Sequence, residues 1–454
     1  MSVILSEYFV ILAILNMLAT MNNKLAIRIE DKYAMERRVP IIPKHVSYLK
    51  EKFGLDFYIE SSSKRVFTDK EFEIAGAKVV SSICDIPVVF GVKEMPSGIF
   101  QEGFTYVFFS HTIKGQTANM PELKKMVEKK VNLIDYEKMR DDQDRRTIFF
   151  GRYAGLAGMI NTFWAFGQRL NVLGITTPFL KLKQAYRYHS LAEAESTILA
   201  IKEEIETEGL PREICPLTIG ITGYGHVGSG VKEILGLLNP VELSPEELLE
   251  LENSKKFSDR SIYITTFREN NLVRPAGNFE FELQDYYRHP EKYTGDFEKY
   301  ISKLSILVNS MYWDKRYPKL VTAEHLKAIY SSEHKLKTIG DITCDPEGSI
   351  EFTLKCTTIE DPVFIYDHEI GSLKSGFKGR GICVLAVDIL PSELPRESSE
   401  GFSSALLRYI PDIVKCDYSV NYDELNLPAS IKKGLILHNG KFTPEFTYME
   451  EFIK

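Results

Sequence analysis

From residue 24 onward, short apolar runs alternate with stretches of mixed polarity, and the runs stop at glycine or a polar residue. Residues 25–29, 57–59, 88–92, 106–110 and 132–136 are runs of this kind and predict strands. Between them, 43–53 predicts a helix opened by Pro43, and 69–75 predicts a helix capped near Asp69. Strands alternating with helices predict a parallel sheet and a first α/β domain over roughly 24–150.

A long helix follows, from about 149 to 170. Its small residues, Gly151, Ala154, Gly155, Ala157 and Gly158, allow close backbone approach and suit a helix wedged between two domains. Residues 191–208 predict another helix, stopped by Gly209. The apolar run 217–222 feeds a glycine-rich turn, and 231–238 continues as a helix. Residues 262–264, 306–309, 338–342 and 383–388 predict further strands, and 285–300 reads as a polar, aromatic-rich insertion. The tail from about Pro395 predicts helices that return to the first domain. The expected fold is α/β: two Rossmann-like domains with parallel sheets and an interdomain cleft. Expected boundaries are an N-terminal extension 1–23, a substrate-binding domain 24–150 joined by 395–454, and a dinucleotide-binding domain 151–394.

Bulk properties narrow the reading. A chain of 454 residues exceeds one core. A formal charge of −7 argues against a nucleic-acid partner, and Lys124, Lys125, Lys129 and Lys130 read as a solvated helix face. The six cysteines have no C-x-x-C spacing and read as reduced residues of an intracellular protein, cytoplasmic or of the mitochondrial matrix. No metal-ligand cluster stands out. Residues 9–21 are mostly apolar but lack the basic flank of a signal peptide and are short for a bilayer span. The folded part is therefore expected to begin near Met21, with no membrane partner; a small packing or membrane-associating helix is the alternative.

Candidate chemistry lies at strand ends. The run 88–92 delivers Lys93, and 106–110 delivers His111. Ligands of open α/β sheets bind beyond the carboxyl ends of the strands. A lysine and a histidine side by side there suit acid/base work on a small molecule; each alone reads more simply as a surface or satisfied polar residue. The run Gly223-Tyr224-Gly225-His226-Val227-Gly228 follows a strand and opens a helix, the context a dinucleotide fingerprint requires. If the next strand ends at Ser244, no acid meets the ribose and NADP(H) is favoured; if Glu242 points there, NAD(H) is favoured. Arg38 and the pair Arg145-Arg146 follow strands and suit carboxylates, or simply a solvated surface.

These segments resemble lysine-ketoglutarate reductase, the saccharopine-forming half of α-aminoadipic semialdehyde synthase. The resemblance rests on Met35-Glu36-Arg37-Arg38-Val39-Pro40, Gly91-Val92-Lys93, Phe108-Phe109-Ser110-His111-Thr112 and Leu133-Ile134-Asp135-Tyr136-Glu137. It continues through 155–160, Thr177-Pro178-Phe179, Met311-Tyr312-Trp313, 341–352 and 387–391. More distantly the chain is similar to lysine-forming saccharopine dehydrogenases and to the alanine dehydrogenase/transhydrogenase fold. The resemblance implies NADPH-dependent condensation of L-lysine with 2-oxoglutarate to saccharopine, or the reverse. It implies Lys93 and His111 as the acid/base pair, and Arg38 and Arg145 on substrate carboxylates. Glu137 would tune the lysine, Lys114, Gln116 and Asp345 would lie on the substrate side, and Asp341 near the nicotinamide.

The glycine run departs from the Gly-Thr-Gly-Asn-Val-Ser of the bifunctional enzymes, which leaves NADP(H) and NAD(H) both open. With no second dehydrogenase domain in the sequence, the expectation is a monofunctional reductase or a subunit acting beside a separate saccharopine dehydrogenase. Two other functions compete: an amino-acid dehydrogenase of the alanine dehydrogenase type, which would use ammonia, and a non-catalytic nucleotide-sensing module, which would tolerate loss of Lys93 and His111.

Overall fold

The structure is a computed structural model that describes residues 22–330 and 334–454. The apolar run 9–21 and nearly all of the extension 1–23 lie outside the described residues. The chain divides into two compact units, one formed by the chain up to Phe149 with Pro395–Lys454, the other by Phe150–Leu394.

The sheet of the first unit has eight strands. Their order is Lys441–Phe442, Leu435–His438, Asn132–Asp135, Thr105–Phe108, Val88–Phe90, Lys24–Ile27, Asp56–Glu60 and Lys78–Val80. The last six run parallel. The chain builds outward from Lys24–Ile27 to Lys78–Val80, then starts again at Val88–Phe90 and builds the other way. The order therefore reverses between Lys24–Ile27 and Val88–Phe90, the point at which ligands of open α/β sheets bind.

The tail is not wholly helical. Its helix Pro395–Leu406 is held by Ser399 and Ser403, whose Oγ atoms accept from the backbone N–H of Val39 and Ile42, each at 3.0 Å. The chain then forms an antiparallel hairpin, Leu435–His438 with Lys441–Phe442, added to the edge beside Asn132–Asp135. A run as short as Leu-Ile-Leu-His carries no alternation that separates strand from helix.

The second unit repeats the plan with eight strands ordered Ser372–Ser375, Val363–Asp367, Ile382–Leu385, Thr338–Asp341, Ile306–Asn309, Leu217–Thr222, Ile262–Phe267 and Val241–Glu242. Val363–Asp367 runs against the rest, pairing antiparallel with both Ser372–Ser375 and Ile382–Leu385; the other pairs are parallel. Leu217–Thr222 stands at the reversal point, and the glycine-rich loop leaves its carboxyl end. The insertion near 285–300 is structured: Val273–Pro275 and Tyr293–Gly295 pair antiparallel around the helix Leu283–Arg288.

The small residues of the helix Gly151–Val172 have a partner within their own unit, the helix His226–Gly236. A Cβ on Gly155 would stand 2.0 Å from the Val227 carbonyl oxygen, and one on Gly230 would stand 2.1 Å from that of Arg152. Backbone meets backbone there, so the close approach seats the helix that begins at the glycine loop.

Candidate active site

Four adjacent parallel strands of the first unit each deliver a titratable side chain at or just past their carboxyl ends. They are Asp135 after 132–134, His111 after Thr105–Phe108, Lys93 after Val88–Phe90, and Glu30 after Lys24–Ile27. The ladder runs on past the formal strands: Gly91 N–H donates to Val107 O and Phe109 N–H to Val92 O, both at 3.0 Å. Lys93 and His111 are thus fixed on neighbouring strand ends, the first near the reversal point.

Glu30 builds the floor beneath Lys93. Its two oxygens accept the backbone N–H groups of Val92 at 2.7 Å and Lys93 at 2.9 Å. Burial, aided by the charge of Glu36, pushes the Glu30 pKa from its ordinary 4.5 up to about 7. The Lys93 ammonium lies 5.9 Å from the centre of the Tyr33 ring. Glu36 is fully buried; burial raises its pKa, but the charge and hydrogen bonds of Arg38, then the charge of Lys93, outweigh this and lower it.

His111 occupies the left-handed region at φ 49°, and its carbonyl accepts from Asn119 Nδ2 at 3.0 Å. Its Nδ1 lies 3.0 Å from Glu94 Oε1. Burial raises the Glu94 pKa, but the hydrogen bond and charge of His111 outweigh it and bring it to about 2. A carboxylate on Nδ1 selects the tautomer protonated there, which leaves the Nε2 lone pair as the base. Glu94 follows Lys93 directly in sequence, and that adjacency was its one visible signal.

Asp135 anchors the turn before His111. It accepts the Ser110 N–H at 2.9 Å and the Ser110 hydroxyl, and its other oxygen accepts the Glu137 N–H at 2.7 Å. Glu137 is half-buried, while Lys114 and Gln116 lie exposed on the loop after His111.

The arginines are placed differently from one another. Arg38 is buried and grips Glu36 in a two-pronged pair, Nε–Oε1 2.7 Å and Nη2–Oε2 2.5 Å. Arg145 is 71% exposed and pairs with Asp141 at 2.8 Å within its own turn. Arg146, the next residue, lies with its guanidinium 5.5 Å from the centre of the Phe109 ring, and Phe109 stacks on His111 at 6.2 Å. Arg146 is solvent-accessible and makes no ion pair among the described residues. Neighbours on an extended turn point to opposite sides, and sequence alone does not fix which points inward.

In the second unit the three glycines have distinct surroundings. Gly223 has φ 90°, and a Cβ there would stand 2.6 Å from Ser310 O; a Cβ on Gly228 would stand 2.5 Å from Gly223 O. A Cβ on Gly225 would meet no protein atom within 4 Å. The first and third glycines are required by the protein itself, whereas the second leaves open space at the amino end of His226–Gly236. A pyrophosphate fits such a loop, with backbone N–H groups and the helix dipole facing it. His226 and Val227 begin that helix.

Ser244 is the cap of the helix Pro245–Ser254: its Oγ accepts the Glu247 N–H at 3.1 Å, and Glu247 accepts the Ser244 N–H at 2.8 Å. Asp341 is buried. Its oxygens accept from Asn309 Nδ2 at 2.8 Å, the Cys344 N–H at 3.3 Å and Thr353 Oγ1 at 2.7 Å, and burial raises its pKa to about 6. It ties strand ends together and offers no uncommitted oxygen. Asp345 is exposed four residues on.

Two doubly wound units, one with a glycine-rich loop at its reversal point and one with acid/base groups at its own, define a dehydrogenase-like architecture that binds a pyridine nucleotide. Residues 26–157 match the family model for the N-terminal domain of alanine dehydrogenase/PNT, and 219–445 match that for its C-terminal domain. The chain belongs to the alanine dehydrogenase/PNT family. It is 34% identical over 443 residues to the mitochondrial alpha-aminoadipic semialdehyde synthase of Mus musculus, covering 94% of this chain and 47% of the relative. The chain thus spans about half the length of that relative. It is 26% identical over 397 residues to a saccharopine dehydrogenase [NAD(+), L-lysine-forming] of Emericella nidulans, covering 85% of this chain and 91% of the other. An L-alanine dehydrogenase structure superposes with TM-score 0.61 at 17% identity, over 95% of this chain and all of the other, and supports the fold. Among the described residues no helix is long and apolar enough to cross a membrane.

Proposed function

We propose that the chain catalyses the NADPH-dependent reductive condensation of L-lysine with 2-oxoglutarate to saccharopine, or its reverse. The observation that carries this reading is the 34% identity to the semialdehyde synthase over 94% of this chain.

The residues suit the steps. The ε-amine must be neutral to attack the ketone, and His111 Nε2 takes its proton while Glu94 steadies the imidazolium that forms. Lys93 moves a proton to and from the carbinolamine oxygen as water leaves. Its position is set by Glu30 through the backbone, and its charge is balanced by Glu36. A nicotinamide dinucleotide, which the loop 223–228 would hold, would supply the hydride that reduces the imine. Arg146 receives a substrate carboxylate, a role its guanidinium beside Phe109 fits better than that of Arg145, which Asp141 already holds. Arg38 acts through Glu36. Glu137, Lys114, Gln116 and Asp345 keep the substrate-side positions the resemblance gives them.

Preference for NADPH rests on the lack of an uncommitted acid beside Ser244. The relative named for NAD(+) keeps NADH as the competing cofactor. The test is NADPH oxidation by the purified chain: it should need lysine and 2-oxoglutarate together. Equal turnover with ammonia in place of lysine would favour an amino-acid dehydrogenase instead.

A further inference from the structure

A pocket of about 460 Å³ opens beside the glycine loop, and its walls include Tyr224, Lys232, Glu242, Ser244 and Arg268. It lies where the ribose of an adenosine bound on that loop would fall: one wall comes from the loop, one from the helix it opens, and one from the end of the next strand. Two of these side chains are cations and one is a carboxylate.

The carboxylate is already engaged, since Glu242 Oε1 lies 3.4 Å from Lys232 Nζ. Arg268 follows the strand Ile262–Phe267 and rests its guanidinium over the Tyr224 ring, 5.6 Å from the centre. Tyr224 is itself held: its hydroxyl oxygen lies 3.0 Å from both oxygens of Glu269 and shares its one proton with that carboxylate, to which Tyr287 also donates at 2.6 Å. Arg268 is thus set against a fixed ring. No carboxylate lies within ion-pair distance of it among the described residues. Its edge N–H groups remain available, and a planar guanidinium fork fits phosphate oxygens.

We propose that Arg268 and Lys232 grip the 2′-phosphate of NADP(H) in this pocket and set the cofactor preference. Arg268 supplies the fixed fork, and Lys232 turns from Glu242 to the phosphate. A hydroxyl in place of the phosphate leaves Arg268 without an anion to receive and Lys232 on Glu242. The proposal rests on the reading that the cofactor is NADP(H), and it adds the residues that select it.

The test is calorimetric titration of the full chain with adenosine 2′,5′-bisphosphate and, separately, adenosine 5′-monophosphate. No amine, oxo acid or nicotinamide is present, so failure of the lysine reaction leaves the result unaffected. The wild type should bind the bisphosphate at least about tenfold more tightly. Arg268→Gln and Lys232→Gln should each reduce bisphosphate affinity by roughly ten- to a hundredfold and leave the monophosphate unchanged, because a charged hydrogen bond is lost only where the phosphate exists. Both side chains are exposed, so the variants keep the fold. Glu242→Gln should hold or tighten the bisphosphate by releasing Lys232. Equal wild-type affinity for the two ligands would overturn the assignment. So would parallel loss of both ligands in the variants, or selective loss of the monophosphate in Glu242→Gln.

Discussion

His111 Nδ1 and Glu94 Oε1 lie 3.0 Å apart, and the Oε2 atom of that glutamate is buried with no hydrogen-bond partner. A carboxylate so placed orients the imidazole and stabilises its protonated form. His111→Gln and Lys93→Met should each lower kcat by about 10²–10⁴, the usual scale for a lost acid or base. Glu94→Gln should lower kcat less, because the imidazole keeps its lone pair but loses the carboxylate that orients it. Stopped-flow rates would separate these; an unchanged rate in Glu94→Gln would make Glu94 merely structural.

The arginines should separate by measurement. Arg146→Ala should raise a substrate KM by roughly ten- to a hundredfold, since a charge-assisted pair is worth about 1.5–3 kcal/mol. Arg145→Ala should leave both KM values unchanged. Arg38→Ala should act on stability instead, since it strands the buried Glu36 without a partner. A loss of about 3–5 kcal/mol in urea unfolding is expected. A large KM effect with intact stability would return Arg38 to the substrate.

Glu30 supplies a pH signature. Its folded pKa of about 7 stands above the ordinary 4.5, so between those values the folded state binds more protons than the unfolded. Stability contributed by the protonated group is complete below 4.5 and declines as pH rises through 7. Over that window the wild type should lose on the order of 3 kcal/mol that Glu30→Gln does not lose. Equal stability losses in wild type and Glu30→Gln between about pH 4 and about pH 8, which bracket the window, would contradict the burial of Glu30.

Gly225→Val should abolish dinucleotide binding with the fold retained, because its added side chain enters only the open space at the helix end. Gly155→Val should disturb the fold instead, since its Cβ would meet the Val227 carbonyl at 2.0 Å. Tryptophan fluorescence on nucleotide addition reads the first change, and thermal unfolding reads the second. Loss of structure in Gly225→Val would show that the loop is packed.

Strand ends were legible because buried parallel strands read as unbroken apolar runs. Phe90 and Val107 pair in register, so Lys93 and His111 fall together without help from distant sequence. The partners of these residues were not legible. His111 meets Glu94 through a backbone turn at positive φ, and Glu30 reaches Lys93 across 63 residues of sequence. Ser244 reads as a ribose contact from strand length, yet its hydroxyl caps a helix. Asp341 reads as a cofactor residue from the motif, yet Asn309, Cys344 and Thr353 enclose it. Polar residues at strand ends look alike in sequence whether they face ligand or protein.

In the proposed reaction one nitrogen, the ε-amine of lysine, becomes the bridge of the product. Lysine labelled with nitrogen-15 at the ε position, 2-oxoglutarate and NADPH should be incubated with the purified chain and the products resolved by mass spectrometry. One labelled condensation product containing both carbon skeletons should form in step with NADPH oxidation. Labelled glutamate, or glutamate formed equally well from ammonia, would contradict the proposed reaction.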